Sequence, residues 1–211
     1  MKKSDPPFKQ ADVSVEQRHT AYRDFLRLDK LQLKHRMFEG GWSEPIDREL
    51  LVKEQAVGVM LFDPDLDNLV MVRQFRVGML GQQESPWPLE LVAGLIDKPE
   101  SLEEVAARET YEETGIVAGK LTKICQYFNS PGASTEYVTL YCSRVDSSKA
   151  GGVHGLDHEH EDIEVVVIAE AEAQEAVRTG AINNAMSVIA LQWLALNKDA
   201  LLHQWRESQQ L

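Results

Sequence analysis

Runs of apolar residues in the middle of the chain predict buried strands. Residues 56–62 and 69–72 are nearly continuous apolar runs, and the connector 63–68 is rich in turn residues. This combination indicates a hairpin. Further strands are predicted at 89–93, 121–128, 137–145 and 163–168, and helices at 102–114, 171–179 and 185–201. Strands with inserted and appended helices predict a mixed α/β sandwich of the α+β kind.

The front of the chain has a different pattern. Residues 17–55 form an extended front segment in which polar and apolar residues alternate roughly from Tyr22 to Leu33, and Gly40 and Gly41 mark a turn. This pattern predicts an antiparallel β extension. This segment is too thin to hold a core of its own. The 211 residues therefore suit one main domain, 56–211, with a β-rich appendage at 1–55.

The helix predicted at 102–114 has clear signals at both ends. Ser101 with Glu104 three residues later makes a capping box, and Gly115 is placed to end the helix. In a helical projection Val105 falls on the same side as Leu102, and the two residues define the buried stripe.

The same projection places carboxylates on that buried stripe. Viewed down the helix axis, Glu109 and Glu113 point within about 20° of Leu102, one on each side of it. Glu112 lies at the edge of the same stripe. Acids at this spacing repel one another, and they lie at the helix end where the macrodipole disfavours negative charge. One reading is a solvated charged face; the other is a site for divalent cations held by oxygen ligands, with Mg²⁺ the default beside phosphates.

Composition narrows the classes of function. The formal net charge of −12 and the pI of about 5.0 argue against nucleic acid as the main partner, because phosphate backbones demand a basic face. The N-terminus lacks the apolar run of a secretory signal, and residues 185–196 are too few to span a bilayer. The two cysteines show no metal spacing. We therefore expect a cytoplasmic protein without membrane association.

Eight residues of the helix region carry a family motif. The chain resembles the Nudix box, G-x5-E-x7-R-E-U-x-E-E-x-G-U with U apolar, across residues 94–116. The matching residues are Gly94, Glu100, Arg108, Glu109, Glu112, Glu113, Gly115 and Ile116. Thr110 departs from the pattern at an apolar position. The resemblance implies the Nudix fold, an α/β/α sandwich around a mixed sheet, and a hydrolase domain at 56–211.

The resemblance also implies roles within the box. Glu109 and Glu113 are expected as metal ligands, assisted by Glu112 and by the backbone carbonyl of Ala93. Arg108 is expected to orient the box carboxylates, and Glu100 supports the loop more than the chemistry. The implied cofactor is Mg²⁺ or Mn²⁺, with about two or three ions per site.

Similarity extends over nearly the whole chain to the bacterial ADP-ribose pyrophosphatases. It is carried by the stretches 86–94, 130–136, 154–156, 161–163 and 187–194, although Ala133 stands where a second glycine is common. The implied reaction is the hydrolysis of ADP-ribose to AMP and ribose 5-phosphate. Two alternatives remain open: another nucleoside diphosphate sugar, such as ADP-glucose or GDP-mannose, and a non-catalytic module that senses such a nucleotide.

The polar loop 155–162 is the expected source of the general base. By resemblance Glu159 is the base and Glu161 a further metal ligand, and the two assignments could exchange because both residues are glutamates two positions apart. His154, His158 and His160 raise a rival reading as zinc ligands or as a histidine base, but a cysteine or rigid scaffold that would favour zinc is missing nearby.

Substrate-binding positions also follow from the resemblance. Phe25 and Leu26 match residues that stack on adenine from the partner subunit, and Lys53 stands where arginine is familiar. The full predicted set is Phe25, Leu26, Arg48, Glu49, Lys53, Arg76, Leu95, Ser130, Gly132, Ser134 and Glu136. The family builds a homodimer in which exchanged front segments complete the partner's site, so residues 1–55 are expected to serve dimerisation and substrate binding.

Overall fold

The computed structural model describes residues 2–82 and 84–207, and within them the chain divides into two compact units. One unit consists of the N-terminal residues through Glu54 together with Phe128–Glu136. The other consists of Gln55–Tyr127 and the chain from Tyr137 onward. No helix in the described ranges is both long and apolar enough to cross a bilayer.

The first unit is built on an antiparallel sheet with the order β1–β2–β3. Its strands are β1 Val13–Arg23, β2 Arg27–His35 and β3 Ile46–Val52. Every residue of β1 is exposed, whereas the carboxylate of Asp29 is buried between Arg18 (2.7 Å) and Arg27 (2.8 Å). Backbone pairing and the ion pairs of the buried Asp29 therefore hold this unit more than apolar packing does. The predicted antiparallel β extension is confirmed.

The second unit contains a mixed sheet. The described strands are β4 Ala56–Asp63, β5 Asn68–Arg73, β6 Leu89–Glu90, β7 Val92–Leu95, β8 Leu121–Phe128, β9 Tyr137–Arg144, β10 Val153–His154 and β11 Ile163–Ala169. The main path runs β10–β11–β5–β4–β9–β8, with β6 paired to β5 and β7 to β4. The pair β4–β9 is parallel, and the pairs β4–β5 and β5–β11 are antiparallel.

Helices cover both faces of this sheet. They are α1 Leu102–Thr114, α2 Glu170–Thr179 and α3 Ala185–Glu207, and short 3-10 turns lie at Gln10–Asp12, Val77–Met79, Ser147–Lys149 and Asp157–Glu159. Successive side chains of β4 point to opposite faces. Val59 packs in the cluster that contains Val105 of α1, whereas Met60 packs in the cluster that contains Leu191 of α3. This α/β/α arrangement confirms the predicted fold class.

Two predicted boundaries are wrong. The last helix continues to Glu207 instead of ending at residue 201, because Trp205 is buried against Phe62 with ring centroids 6.2 Å apart. The strand predicted at 89–93 is split at Leu91 and extends through Gly94 to Leu95. That extension pairs with the start of β4, where Ala56 lies opposite Leu95.

Candidate active site

The helix α1 has the bounds that its local sequence predicts. Ser101 Oγ accepts a hydrogen bond from the Glu104 N–H (3.2 Å), and the Glu104 carboxylate accepts one from the Ser101 N–H (2.7 Å). At the other end Gly115 has a φ of 70° and donates to the Tyr111 carbonyl. The two caps fix the phase of every side chain on the helix.

The carboxylates of the last turns lie on the buried side of α1. Glu113 is 2% exposed, and the side chains of Glu109 and Glu112 are 16% and 25% exposed. Tyr111, on the opposite face, is 60% exposed. A solvated charged face would leave the glutamates open to water, so that reading does not describe this helix.

The strand β7 approaches these carboxylates with its backbone. A β-carbon added to Gly94 would lie 2.1 Å from the carboxyl carbon of Glu109, so only glycine leaves room for this carboxylate. The N–H of Ala93 points to Glu113 Oε2 over 3.4 Å. The resemblance assigns the Ala93 carbonyl to the metal, and the Ala93 N–H in addition lies close to the Glu113 carboxylate.

Burial makes the two inner carboxylates poor acids. The pKa of Glu113 is raised to about 8, chiefly by burial and further by the charges of Glu109 and Glu161, although Ala93 and Arg76 act in the opposite direction. The pKa of Glu109 is raised to about 7, again chiefly by burial. In each case the cost of burying the ionised carboxylate outweighs the positive charge nearby, which for Glu109 includes Arg108.

Arg108 gathers the outer carboxylates of the box. Its guanidinium lies 3.0 Å from Glu100, 2.8 Å from Glu109 and 3.0 Å from Glu112. The pKa of Arg108 is raised because these three acids outweigh the effect of burial. A planar guanidinium suits this role, since its fixed fork of donors serves several carboxylates at once.

The polar loop brings Glu161, and not Glu159, towards the box. The Glu161 carboxylate accepts a hydrogen bond from the Leu156 N–H (3.2 Å), and its charge raises the pKa of both Glu109 and Glu113. The Glu159 side chain is 54% exposed and lies 3.5 Å from the ring of His158. These contacts favour Glu161 as the ligand and leave the Glu159 carboxylate on an exposed turn.

The donor set fits a hard divalent cation. Oxygen ligands from Glu109, Glu113 and Glu161 match the preference of Mg²⁺, and a bound cation would stabilise the ionised forms of Glu109 and Glu113 that burial disfavours. Among residues 2–82 and 84–207, however, no three His, Cys, Asp or Glu side chains already stand in place to hold an ion. Glu109 and Glu112 are turned to Arg108, so a bound ion must compete with that guanidinium for Glu109.

Arg76 lies three residues after β5, and Leu95 is the last residue of β7. Arg76 Nε donates to Glu90 Oε2 (2.6 Å), and the positive charge of Arg76 lowers the pKa of Glu113. Leu95 ends β7 and is 40% exposed. Glu90, which orients Arg76, was missed by sequence reasoning. Its position follows from the pairing of β5 with β6, which brings Glu90 opposite Val72 and which no sequence pattern indicates.

In the first unit, the segment 128–136 is tied to β3. The Leu51 N–H donates to the Ala133 carbonyl (2.8 Å), and the Lys53 N–H donates to Thr135 Oγ1 (2.8 Å). The Lys53 ammonium contacts the Glu136 carboxylate, which also accepts from Asn129 (2.6 Å).

The pKa of Glu136 is lowered, because its contacts with Lys53 and Asn129 outweigh the effect of burial. Ser130 and Gly132 are exposed, and Ser134 is partly buried. Asn129 was not among the predicted site residues.

The remaining predicted binding residues lie on the sheet of the first unit. Phe25 is 93% exposed and Leu26 42% exposed at the turn between β1 and β2. Arg48 and Glu49 line a groove of about 410 Å³ together with Gln17, His19, Lys30, Leu31, Gln32 and Asp47. The groove offers charged and amide groups of the kind that bind a polar ligand.

A NUDIX domain model matches residues 52–184, and the chain belongs to this family. Enzymes of the family generally use divalent metal ions. The chain is 41% identical over 204 residues to the ADP-ribose pyrophosphatase of Haemophilus influenzae, covering 95% of this chain and 94% of that protein.

A second ADP-ribose pyrophosphatase, from Escherichia coli strain K12, is 40% identical over 198 residues, covering 94% of this chain and 95% of that protein. A GDP-mannose pyrophosphatase of Escherichia coli O1:K1 is 29% identical over 181 residues, 85% of this chain and 87% of its own. A solved structure of an ADP compounds hydrolase superposes with a TM-score of 0.67 at 22% identity, over 94% of this chain and 96% of that one. This last similarity concerns the fold.

Proposed function

We propose that the protein hydrolyses the pyrophosphate of ADP-ribose to AMP and ribose 5-phosphate. The observation that carries the proposal is the buried carboxylate cluster of Glu109 and Glu113 in a chain 41% identical, over nearly its full length, to an ADP-ribose pyrophosphatase. We place the enzyme in the cytoplasm.

The reaction breaks a P–O–P bond with water, and the chain supplies several of its requirements. Glu109, Glu113 and Glu161 would hold about two or three divalent cations, Mg²⁺ or Mn²⁺, with help from Glu112 and the carbonyl of Ala93. Such ions supply neutralisation of the phosphate charge and a lowered pKa of water. Arg108 holds the outer carboxylates in place.

Glu159 accepts the proton of the attacking water, and its place on an exposed turn suits a base that engages once substrate is bound. The water oxygen forms a bond to one phosphorus, the bond from that phosphorus to the bridging oxygen breaks, and the bridging oxygen leaves as part of the other product's phosphate. Glu159 then returns the proton to solvent, so the carboxylate is regenerated after each turnover.

Recognition of the rest of the substrate is assigned to charged and aromatic groups. Phe25 and Leu26 would stack on the adenine base, and Arg76 and Lys53 would attract the phosphates. Lysine at 53 keeps a charge but lacks the forked donors of arginine. The other proposed contacts are Arg48, Glu49, Leu95, Ser130, Gly132, Ser134 and Glu136.

We further propose a homodimer in which the segment 1–55 of each chain serves the site of its partner. The support is the exposure of all residues of β1 and of Phe25, which a second copy would cover.

A mixing experiment tests this dimer. Arg48→Ala and Glu113→Gln variants, each nearly inactive alone, are expected to regain roughly one intact site in four after joint unfolding and refolding, because half of the dimers then pair one variant with the other. Steady-state turnover before and after mixing measures the gain. No recovery in a preparation that light scattering shows to be dimeric would contradict the shared site.

A substrate panel with Mg²⁺ tests the reaction. We expect kcat/KM for ADP-ribose to exceed that for ADP-glucose and GDP-mannose by at least about tenfold, a difference of about 1.4 kcal/mol in transition-state binding. GDP-mannose is included because a GDP-mannose pyrophosphatase is 29% identical to the chain.

A higher value for another sugar nucleotide would move the assignment to that substrate. Binding of ADP-ribose without turnover of any member of the panel would instead indicate a sensing module.

A further inference from the structure

The chain around His154 lies against the C-terminal end of α1. His154 belongs to β10, where it pairs with Ile163 of β11. A β-carbon added to Gly115 would lie 2.8 Å from Cε1 of the His154 ring, so the ring rests on the glycine that ends the helix. The same ring is fixed from the other side, because its Nε2 lies 3.0 Å from the Gly151 carbonyl oxygen.

Gly155 makes the next contact with the helix. Its N–H donates to the Glu112 carbonyl over 3.3 Å, which satisfies one of the carbonyls that a helix leaves without an intrahelical partner in its last turn. The φ of Gly155 is 106°, a backbone conformation that residues with a β-carbon rarely adopt. The backbone of the loop is therefore anchored one residue away from the box carboxylate Glu113.

The same glycine is packed against Glu161. A β-carbon at Gly155 would lie 2.7 Å from the β-carbon of Glu161 and 3.1 Å from its carbonyl oxygen. Leu156, the next residue, donates its N–H to the Glu161 carboxylate and accepts the Glu161 N–H at its own carbonyl (3.4 Å). A continuous set of contacts thus runs from the end of α1 through Gly155 to the Glu161 carboxylate.

We propose that His154 and Gly155 are positioning residues that dock the loop on the C-terminal end of α1 and so hold the Glu161 carboxylate towards Glu109 and Glu113. The inference rests on the proposed function, since it takes Glu161 to be a metal ligand. Neither residue needs to touch the cation or the substrate. Their role is to increase the affinity of the carboxylate cluster for the ion.

The first test replaces Gly155 by alanine and measures Mn²⁺ binding without substrate, from the electron paramagnetic resonance signal of free Mn²⁺. We expect binding to weaken by roughly tenfold or more, the usual effect of losing a group that orients a metal ligand. Gly180→Ala is the matched control, because Gly180 also has a positive φ (83°) and meets nothing within 4 Å. It introduces comparable backbone strain away from the site, and its Mn²⁺ affinity should equal that of the wild type.

The second test removes the His154 ring with His154→Ala, which introduces no backbone strain. The Mn²⁺ concentration for half-maximal activity should rise about tenfold, while kcat at saturating Mn²⁺ recovers most of its wild-type value. His203→Ala, at an exposed histidine of α3, is the control. If Gly155→Ala does not fold, His154→Ala decides the question by itself.

A third variant, Glu161→Gln, distinguishes the failure of this inference from the failure of the proposed function. If Glu161→Gln weakens Mn²⁺ binding while Gly155→Ala and His154→Ala bind as the wild type does, the positioning role is overturned and the ligand assignment stands. If Glu161→Gln also binds Mn²⁺ as the wild type does, the ligand assignment fails and the positioning role fails with it.

Discussion

Glu113→Gln is expected to lower turnover of ADP-ribose by about a thousandfold or more without unfolding the protein. The proposed cation contributes several kcal/mol of transition-state stabilisation, and about 1.4 kcal/mol corresponds to a factor of ten in rate. Glutamine keeps the shape of the side chain but removes the charge that holds the ion. Steady-state rates with saturating Mg²⁺ measure the loss.

The melting temperature of the same variant separates chemistry from folding. Because burial raises the pKa of Glu113 to about 8, its ionised form is unfavourable in the metal-free protein, and a neutral glutamine should leave the melting temperature unchanged or raise it. Glu172→Gln on the exposed part of α2 should behave as the wild type in both measurements. Wild-type rates in Glu113→Gln would refute the metal-ligand assignment.

The stability of the metal-free protein should fall as pH rises from about 5.5 to 8.5. Between the ordinary carboxyl pKa of 4.5 and the raised values of about 7 for Glu109 and 8 for Glu113, the folded protein retains protons that the unfolded chain releases. The free energy of unfolding therefore decreases with pH through this window. For a chain of this size each kcal/mol corresponds to about 2–4 °C in melting temperature, so we expect a fall of several degrees.

The contribution of the two carboxylates is isolated by comparison with the double variant Glu109→Gln/Glu113→Gln. The wild type should lose more stability than the double variant over the same pH range in a chelating buffer. Added Mg²⁺ should raise the melting temperature of the wild type more at about pH 8.5 than at about pH 5.5, because ligands must be deprotonated to bind a metal. Parallel curves for the two proteins would show that these carboxylates ionise normally.

The helix α1 could be predicted from sequence to the residue, and the reason is that its determinants are local. Ser101, Glu104 and Gly115 act through hydrogen bonds within a few positions, and the burial of Glu113 follows from the helical period. The end of α3 could not be predicted in this way. Trp205 extends that helix by contacting Phe62 and Thr122, which are distant in sequence.

The parts of the site that sequence reasoning missed depend on how the backbone folds. Glu90 orients Arg76 only because β5 and β6 pair, and neither strand shows a pattern that specifies the other. Gly155 is marked by its φ and by its closeness to Glu161, quantities that are properties of the folded backbone. The resemblance places Glu159 and Glu161 in the same loop with exchangeable roles, and the hydrogen bond of the Leu156 N–H to the Glu161 carboxylate is a property of the folded loop that the sequence does not display.

The contacts of β3 with the segment 128–136 govern when the first unit can be finished during synthesis. The hydrogen bond from Lys53 to Thr135 spans 82 positions of sequence, and Leu51 exchanges backbone hydrogen bonds with Ala133 and Thr135. A nascent chain that emerges from the ribosome can form β1, β2 and β3 early, but the contacts of β3 with the segment 128–136 wait until that segment has been made, after β4 to β7. Domains generally fold in the order of synthesis. Here the contacts that complete the first unit form only after the chain between β3 and residue 128 has been made.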